Sequence, residues 1–238
     1  MTRPAPTAGT VLAYAVLDAT RPLPLAVIPD LPDANLETRE VAGLLVIHSR
    51  LAPQPAAPDL EHLQTFYKVI ERLHAHHDIL PLRWGQHFPH PQALARAITA
   101  DADGYKRQLA RLAGATEMGI RLLAADTQST PERVPRHPPA PPGRAFLEQR
   151  RARYGMDATV QEQQRRIEET CRESFTGLFH EIKSETAQDT DSRVIIRVHF
   201  LIPRALVARF RRTYADLRPV EGMPMRLTGP WPPFNFTA

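Results

Sequence analysis

Prolines divide this chain before any hydrophobic periodicity does. Proline takes 24 of the 238 residues against 11 for glycine. Each one lacks an amide hydrogen and fixes φ, so a helix interior or a central strand cannot run through it. The run Ala52 to Pro58 is therefore a loop. Pro131 to Pro142 is expected to be a long, partly mobile loop. Pro22, Pro24, Pro29 and Pro32 leave room for one short strand, Leu25 to Ile28. Folded elements must fit between these breaks.

Between them the first half alternates strands and helices. Thr10 to Leu17 and Val41 to Ile47 are apolar on both alternating faces, as buried central strands are. Asp59 is placed to cap a helix in which Leu60, Leu63, Phe66, Tyr67, Ile70, Leu73, His74 and His77 follow one stripe. Ile79 to Trp84 is extended, held straight by Pro81. Pro91 opens a second helix with Leu94, Ile98, Tyr105, Leu109 and Leu112 on one face.

The second half reads differently. Thr116 to Ala124 alternates, with Met118, Ile120 and Leu122 inward and Glu117 and Arg121 toward water. Helical sequence starts at Gly143 and breaks near Tyr154-Gly155. A longer helix then carries Val160, Ile167, Cys171, Phe175, Leu178 and Ile182 inward. Arg193 to Leu201 alternates as a strand. After Pro203 a helix places Leu206, Phe210, Tyr214 and Leu217 on one stripe, and Met223, Met225 and Leu227 close in a last strand. The fold class is α+β, and this order suggests a split βαβ, ferredoxin-like layout with one strand unseen.

Charge and motif content narrow the function classes. A net charge of +4 invites a nucleic-acid reading, but the arginines are dispersed and acids lie beside most of them. Arg150-Arg151-Ala152-Arg153 and Arg209-Phe210-Arg211-Arg212 are the unbalanced runs, and neither interleaves with an aromatic platform. Solvated arginine-rich faces are preferred; a nucleic-acid or regulatory binder using those arginines is the alternative. One cysteine excludes a disulfide framework and a thiolate zinc cluster. Cys171 sits on an apolar stripe, where a thiol packs rather than reacts. Val41 to Ile47, the longest apolar stretch, is too short to span a bilayer. No secretory signal reads at residues 1–8, so the expectation is a soluble cytoplasmic protein.

Specific catalytic spacings are absent: no G-x-S-x-G, no G-x-G-x-x-G, no P-loop and no H-E-x-x-H. Glu168-Glu169 falls on a charged helix face, which is solvated rather than catalytic. His74, His76, His77 and Asp78, with His87 and His90 downstream, raise a metal-enzyme reading. Yet on a helix His74 and His76 diverge, so helix-end histidines beside a C-terminal dipole are the favoured account. The expectation is no catalytic, cofactor or metal site.

Two stretches exceed what a core requires. One is Leu80-Pro-Leu-Arg-Trp-Gly85, with Arg83, Trp84 and Gly85. The other is Thr228-Gly-Pro-Trp-Pro-Pro-Phe-Asn-Phe236, in which Gly229, Pro230, Pro232 and Pro233 stiffen a segment carrying Trp231, Phe234 and Phe236. The closing nonapeptide resembles the carboxyl-terminal signature of the gas vesicle GvpL/GvpF family. Leu80 to Gly85 is similar to its L-P-L/M-R-F-G segment, with Trp84 at the phenylalanine position. Gly143-Arg-Ala-Phe-Leu147 is similar to its G-R-A-Y-L. Tyr67-Lys68 stands where many relatives have His-Glu.

The resemblance implies an α/β domain over residues 1–112 and a modified ferredoxin-like domain over 113–238. The rigid aromatic tail is either docked on its own chain, the favoured account, or offered to another. It implies a gas vesicle accessory or minor structural protein, not an enzyme. The implied partners are the major shell subunit GvpA and other gas vesicle accessory proteins, with location at the vesicle. Trp231 is expected to lie in a groove of its own chain that Arg83 and Trp84 help to form.

Overall fold

The computed structural model describes residues 10–21, 35–51, 60–123, 159–188 and 194–237. The fold class is α+β, built on two antiparallel sheets. The chain divides into two compact units, one of Met1–Glu117 with Trp231–Ala238 and the other of Met118–Pro230.

In the first unit, β1 (Val11–Asp18) is the axis. Seven of its residues in succession are buried, which a strand shows when both faces are covered. Strands β2 (Leu36–Val41) and β3 (Leu44–Arg50) form a hairpin with Val41 opposite Leu44. Its two turn residues, Ala42 and Gly43, have φ of 53° and 78°, the left-handed pair that a two-residue hairpin turn needs. The expected single strand from Val41 to Ile47 is thus corrected: the apolar run crosses the turn. β2 went unread because Leu-Glu-Thr-Arg-Glu-Val carries an edge strand's charges.

β3 pairs with β1, and β4 (Leu80–Pro81) and β5 (His87–Phe88) line β1's other side. Helix α1 (Leu60–His76) buries Phe66, Val69, Ile70 and Leu73 against Leu12, Tyr14, Leu17 and Ile47. Helices α2 (Pro91–Ala100) and α3 (Ala102–Leu112) also contact β1. They were expected as one helix. Asp101, at φ −131° and ψ 34°, breaks it. His90 caps α2, its Nδ1 accepting from the Ala93 amide at 3.0 Å.

The second unit holds a four-stranded sheet in the order β7-β8-β6-β9: β6 (Ala115–Leu123), β7 (Glu181–Gln188), β8 (Val194–Pro203) and β9 (Met225–Trp231). Its core joins Met118, Ile120 and Leu122 to Ile167 and Cys171 of the helix α4 over 159–174, to Phe175 just past its end, and to Phe210 of α5 (Val207–Asp216). Phe175, Phe200 and Phe210 form a ring cluster, with the first and last stacked at 4.2 Å. Thr228 lies so close to β6 that a Cβ on Gly119 would stand 2.7 Å from its hydroxyl oxygen.

Several expectations for this half change. The helix does not continue to Ile182. It ends near Ser174, where Gly177 at φ 76° turns the chain, and Ile182 belongs to β7, the strand the periodicity missed. The compact units divide after Glu117 rather than after residue 112, and Trp231–Ala238 count with the first unit. The expected strand Leu25–Ile28, the Asp59 cap, the Pro131–Pro142 loop and the helical stretch from Gly143 lie outside the described residues.

Candidate interaction site at the carboxyl-terminal tail

Three of the tail's residues are hidden and two are displayed. Pro232, Pro233 and Phe236 are buried, Phe236 completely, whereas Trp231 is 42% exposed and Asn235 is exposed as well. The chain turns tightly, with the Phe234 amide donating to the Pro232 carbonyl at 2.7 Å and the Phe236 amide to the Pro233 carbonyl at 3.1 Å. Prolines preset this path, so little chain entropy is lost in holding it.

Polar groups of the first unit fix the tail at three points. Glu117, 4% exposed, accepts from the Asn235 backbone amide at 3.0 Å and from its side-chain amide at 2.6 Å. Each carboxylate oxygen receives one donor, the charge-assisted pairing that makes a buried carboxylate tolerable. The Arg111 guanidinium donates to the Phe236 carbonyl. The Thr116 hydroxyl donates to the Trp231 carbonyl at 2.9 Å and lies 3.3 Å from His74 Nε2. A hydroxyl has one proton, so with that proton spent on Trp231 the oxygen accepts from His74, which fixes the Nε2–H tautomer.

A ladder of rings supports the apolar side. Phe234 meets Tyr67 edge-on at 5.4 Å, Tyr67 meets Phe66 at 5.5 Å, and Phe66 meets Trp84 at 5.1 Å and Tyr14 at 5.0 Å. Trp84 and Phe234 therefore belong to one cluster, and Tyr67 is the ring touching the tail. Trp231 is not the buried anchor expected from sequence; Phe236 is. Arg83 and Gly85 are exposed, and Gly143 lies outside the described residues. Gly229 and Pro230 belong to the second unit, joined by a cis peptide bond, with the Gly229 carbonyl taking a hydrogen bond from Arg211 at 3.2 Å.

Glu117, Arg111, Thr116 and Asn235 were missed as a group. Alternation along β6 sends Glu117 toward water, and its partner stands 118 positions away. Only a buried carboxylate in an otherwise apolar strand could have signalled it.

The other candidates are occupied elsewhere. His74 serves Thr116, His90 caps α2, and His87 rests against the Trp84 ring at 6.2 Å. Asp78 binds Arg21 at 3.3 Å and accepts from the Gly114 amide at 2.9 Å. Among the described residues no group of three or more His, Cys, Asp or Glu side chains converges as a metal site would. Burial, with Glu168 adding to it, pushes the Cys171 thiol up to about 12, far from a reactive thiolate. No helix among the described residues is long and apolar enough to cross a membrane.

A family model described as gas vesicle synthesis protein GvpL/GvpF matches residues 10–238. The crystal structure of the gas vesicle protein GvpF from Anabaena sp. PCC7120 is similar with a TM-score of 0.72 at 16% identity, covering 97% of this chain and 97% of that one. The corresponding protein from Microcystis aeruginosa gives a TM-score of 0.70 at 17% identity, over 96% and 99% of the two chains. At such identities the likeness shows a shared fold. No curated protein matches the chain.

Proposed function

This chain belongs to the gas vesicle synthesis protein GvpL/GvpF family, and from that premise we propose that it is an accessory or minor structural protein that binds the major shell subunit GvpA and supports vesicle assembly. The observation that carries this reading is the family match, which runs from residue 10 to residue 238 and so includes the tail. We read the second unit as a modified ferredoxin-like domain, because its strand order is that of a split βαβ fold. The tail residues Trp231, Pro232, Pro233, Phe234 and Phe236, together with Trp84, act in this reading as a built recognition element. Arg83, Gly85, Gly143, Gly229 and Pro230 are further candidate interaction residues in this reading.

Physical chemistry supplies the role. A shell subunit whose inner surface repels water is an aggregation hazard before it joins the shell. A partner that covers an apolar patch keeps it soluble until it is added to the growing wall. Location at the gas vesicle in the cytoplasm follows from that role, which needs no reaction and no cofactor.

Deletion of the gene in a host lacking a second paralogue should abolish or deform the vesicles and leave metabolism intact. Coexpressed GvpA should co-purify with the tagged chain. Normal vesicles in the deletion strain would overturn the reading.

A further inference from the structure

The sheet of the second unit carries its charges on the face turned away from Met118, Ile120, Ile196, Val198 and Phe200. Between β7 and β8 those charges are matched in sign. Glu185 stands opposite Arg197 and accepts from it at 3.2 Å, and His199 Nε2 lies 3.6 Å from the same carboxylate. Between β6 and β9 they are not. The Leu123 amide donates to the Pro224 carbonyl at 3.4 Å, and the Thr228 hydroxyl donates to the Gly119 carbonyl at 3.3 Å. Four residues forward along β6 are thus four residues back along β9, the antiparallel register that sets Arg121 opposite Arg226. The two share a face, because a Cβ on Gly119, two residues before Arg121, would point at the hydroxyl of Thr228, two residues after Arg226. Their Cβ atoms are then roughly 5 Å apart.

Like charges placed directly opposite destabilise a sheet, and nothing among the described residues relieves this pair. Both arginines are exposed, and neither bonds to a carboxylate or to any other described group. An edge strand uses a charge to repel unwanted pairing, which accounts for Arg226 on β9. Strand β6 is paired on both sides, so Arg121 has no such duty.

Charge and geometry select the ligand. Two neighbouring guanidinium forks offer two positive charges and two sets of paired N–H donors to one point. A carboxylate brings one charge and two oxygens, enough for a single fork. A nucleic-acid backbone likewise carries one charge per phosphate. A phosphate monoester carries about −1.5 to −2 at neutral pH on three acceptor oxygens, which matches both forks at once. We propose that Arg121 and Arg226 form a binding site for a dianionic phosphate group, as the free ion or as a monoester. The site is independent of the shell-subunit reading and stands or falls without it.

The test titrates inorganic phosphate into the full-length chain at about pH 8, where the ion is doubly charged. Ionic strength is held constant with sodium chloride, and the thermal midpoint reports binding. The wild-type midpoint should rise with phosphate. Arg121→Gln and Arg226→Gln should each weaken the apparent affinity about tenfold or more. Without phosphate, at low salt, both should melt no lower than wild type, because the repulsion is gone. Arg209→Gln, which removes an exposed arginine of α5, should respond as wild type does. A phosphoserine peptide that binds more tightly than phosphate, through the same two arginines, supports the site and names a phosphorylated protein as the source. Equal binding supports it and names the free ion. No rise in the wild type, or an unchanged affinity in both variants, overturns the site. An equal loss in Arg209→Gln also overturns it, by showing diffuse charge at work. Acetate or oligothymidylate that matches phosphate overturns the choice of ligand.

Discussion

Phe236 and Trp231 lie on one short peptide and answer differently to truncation. Phe236 is completely buried, so Phe236→Ala should cost about 3–5 kcal/mol and lower the thermal midpoint of the purified chain. Trp231→Ala should cost less than Phe236→Ala, because 42% of that residue is already in water. Equal melting losses for the two would contradict the arrangement. Glu117 makes a sharper case. In Glu117→Gln one oxygen becomes an amide donor facing the Asn235 amide, so a paired site gains a clash of donors. The expected loss is about 1–3 kcal/mol, read as a lower denaturant midpoint at unchanged slope. His48 adds a pH dependence. It is 2% exposed with Nδ1 lacking a hydrogen-bond partner. Burial holds its pKa below the ordinary 6.5, Glu37 opposing that shift and Arg39 and Arg50 reinforcing it. The unfolded chain thus takes up a proton near pH 6.5 that the folded chain refuses. This contribution to stability is complete above that pH, shrinks as pH falls through the window, and levels off below the folded value. His48→Leu should flatten that slope in denaturant titrations between about pH 5 and 7.5.

At the scale of elements, the β2–β3 turn is open to improvement. Ala42 holds φ of 53°, a conformation that costs an alanine about 1 kcal/mol and asparagine less. Ala42→Asn should therefore stabilise the chain by roughly 0.5–1 kcal/mol, seen as a higher melting temperature. An unchanged or lower midpoint would argue against this turn geometry. The same turn shows why the sequence was legible in some places and opaque in others. Strands β6 and β8 declared themselves because a buried face imposes a repeat of two, and β1 by a continuous apolar run covered on both faces. β2 and β7 did not, because Glu37, Arg39, Glu40, Glu181, Lys183 and Glu185 are the polar side chains with which edge strands avoid unwanted pairing. Helix boundaries failed where the signal was one residue, Asp101 or Gly177, inside apolar stripes that continue in phase. The tail was legible as a distinctive segment. Its partners were not, since Glu117 and Arg111 meet it across more than a hundred residues of chain.

For the whole molecule, the chain passes from the first unit to the second and back. A fragment of residues 1–117 lacks Phe236 and leaves Glu117 and Arg111 without Asn235 and the Phe236 carbonyl. It should melt well below a version in which residues 231–238 are rejoined to it through a short flexible linker, and circular dichroism melts of the two compare them directly. The return of the chain also has a consequence for how the protein is made. A ribosome adds about 5–20 residues per second and normally lets the leading portion of a polypeptide fold before the rest emerges. Here residues 118–230 are contiguous and can fold as soon as they clear the exit tunnel. The leading portion must wait for residues 231–238. Until Phe236 has emerged, a space meant for a phenylalanine ring stands empty in a nascent chain. Nonsense or frameshift lesions in the codons for residues 231–236 should thus injure the first-made part of the protein, although more than a hundred residues separate the two in the order of synthesis.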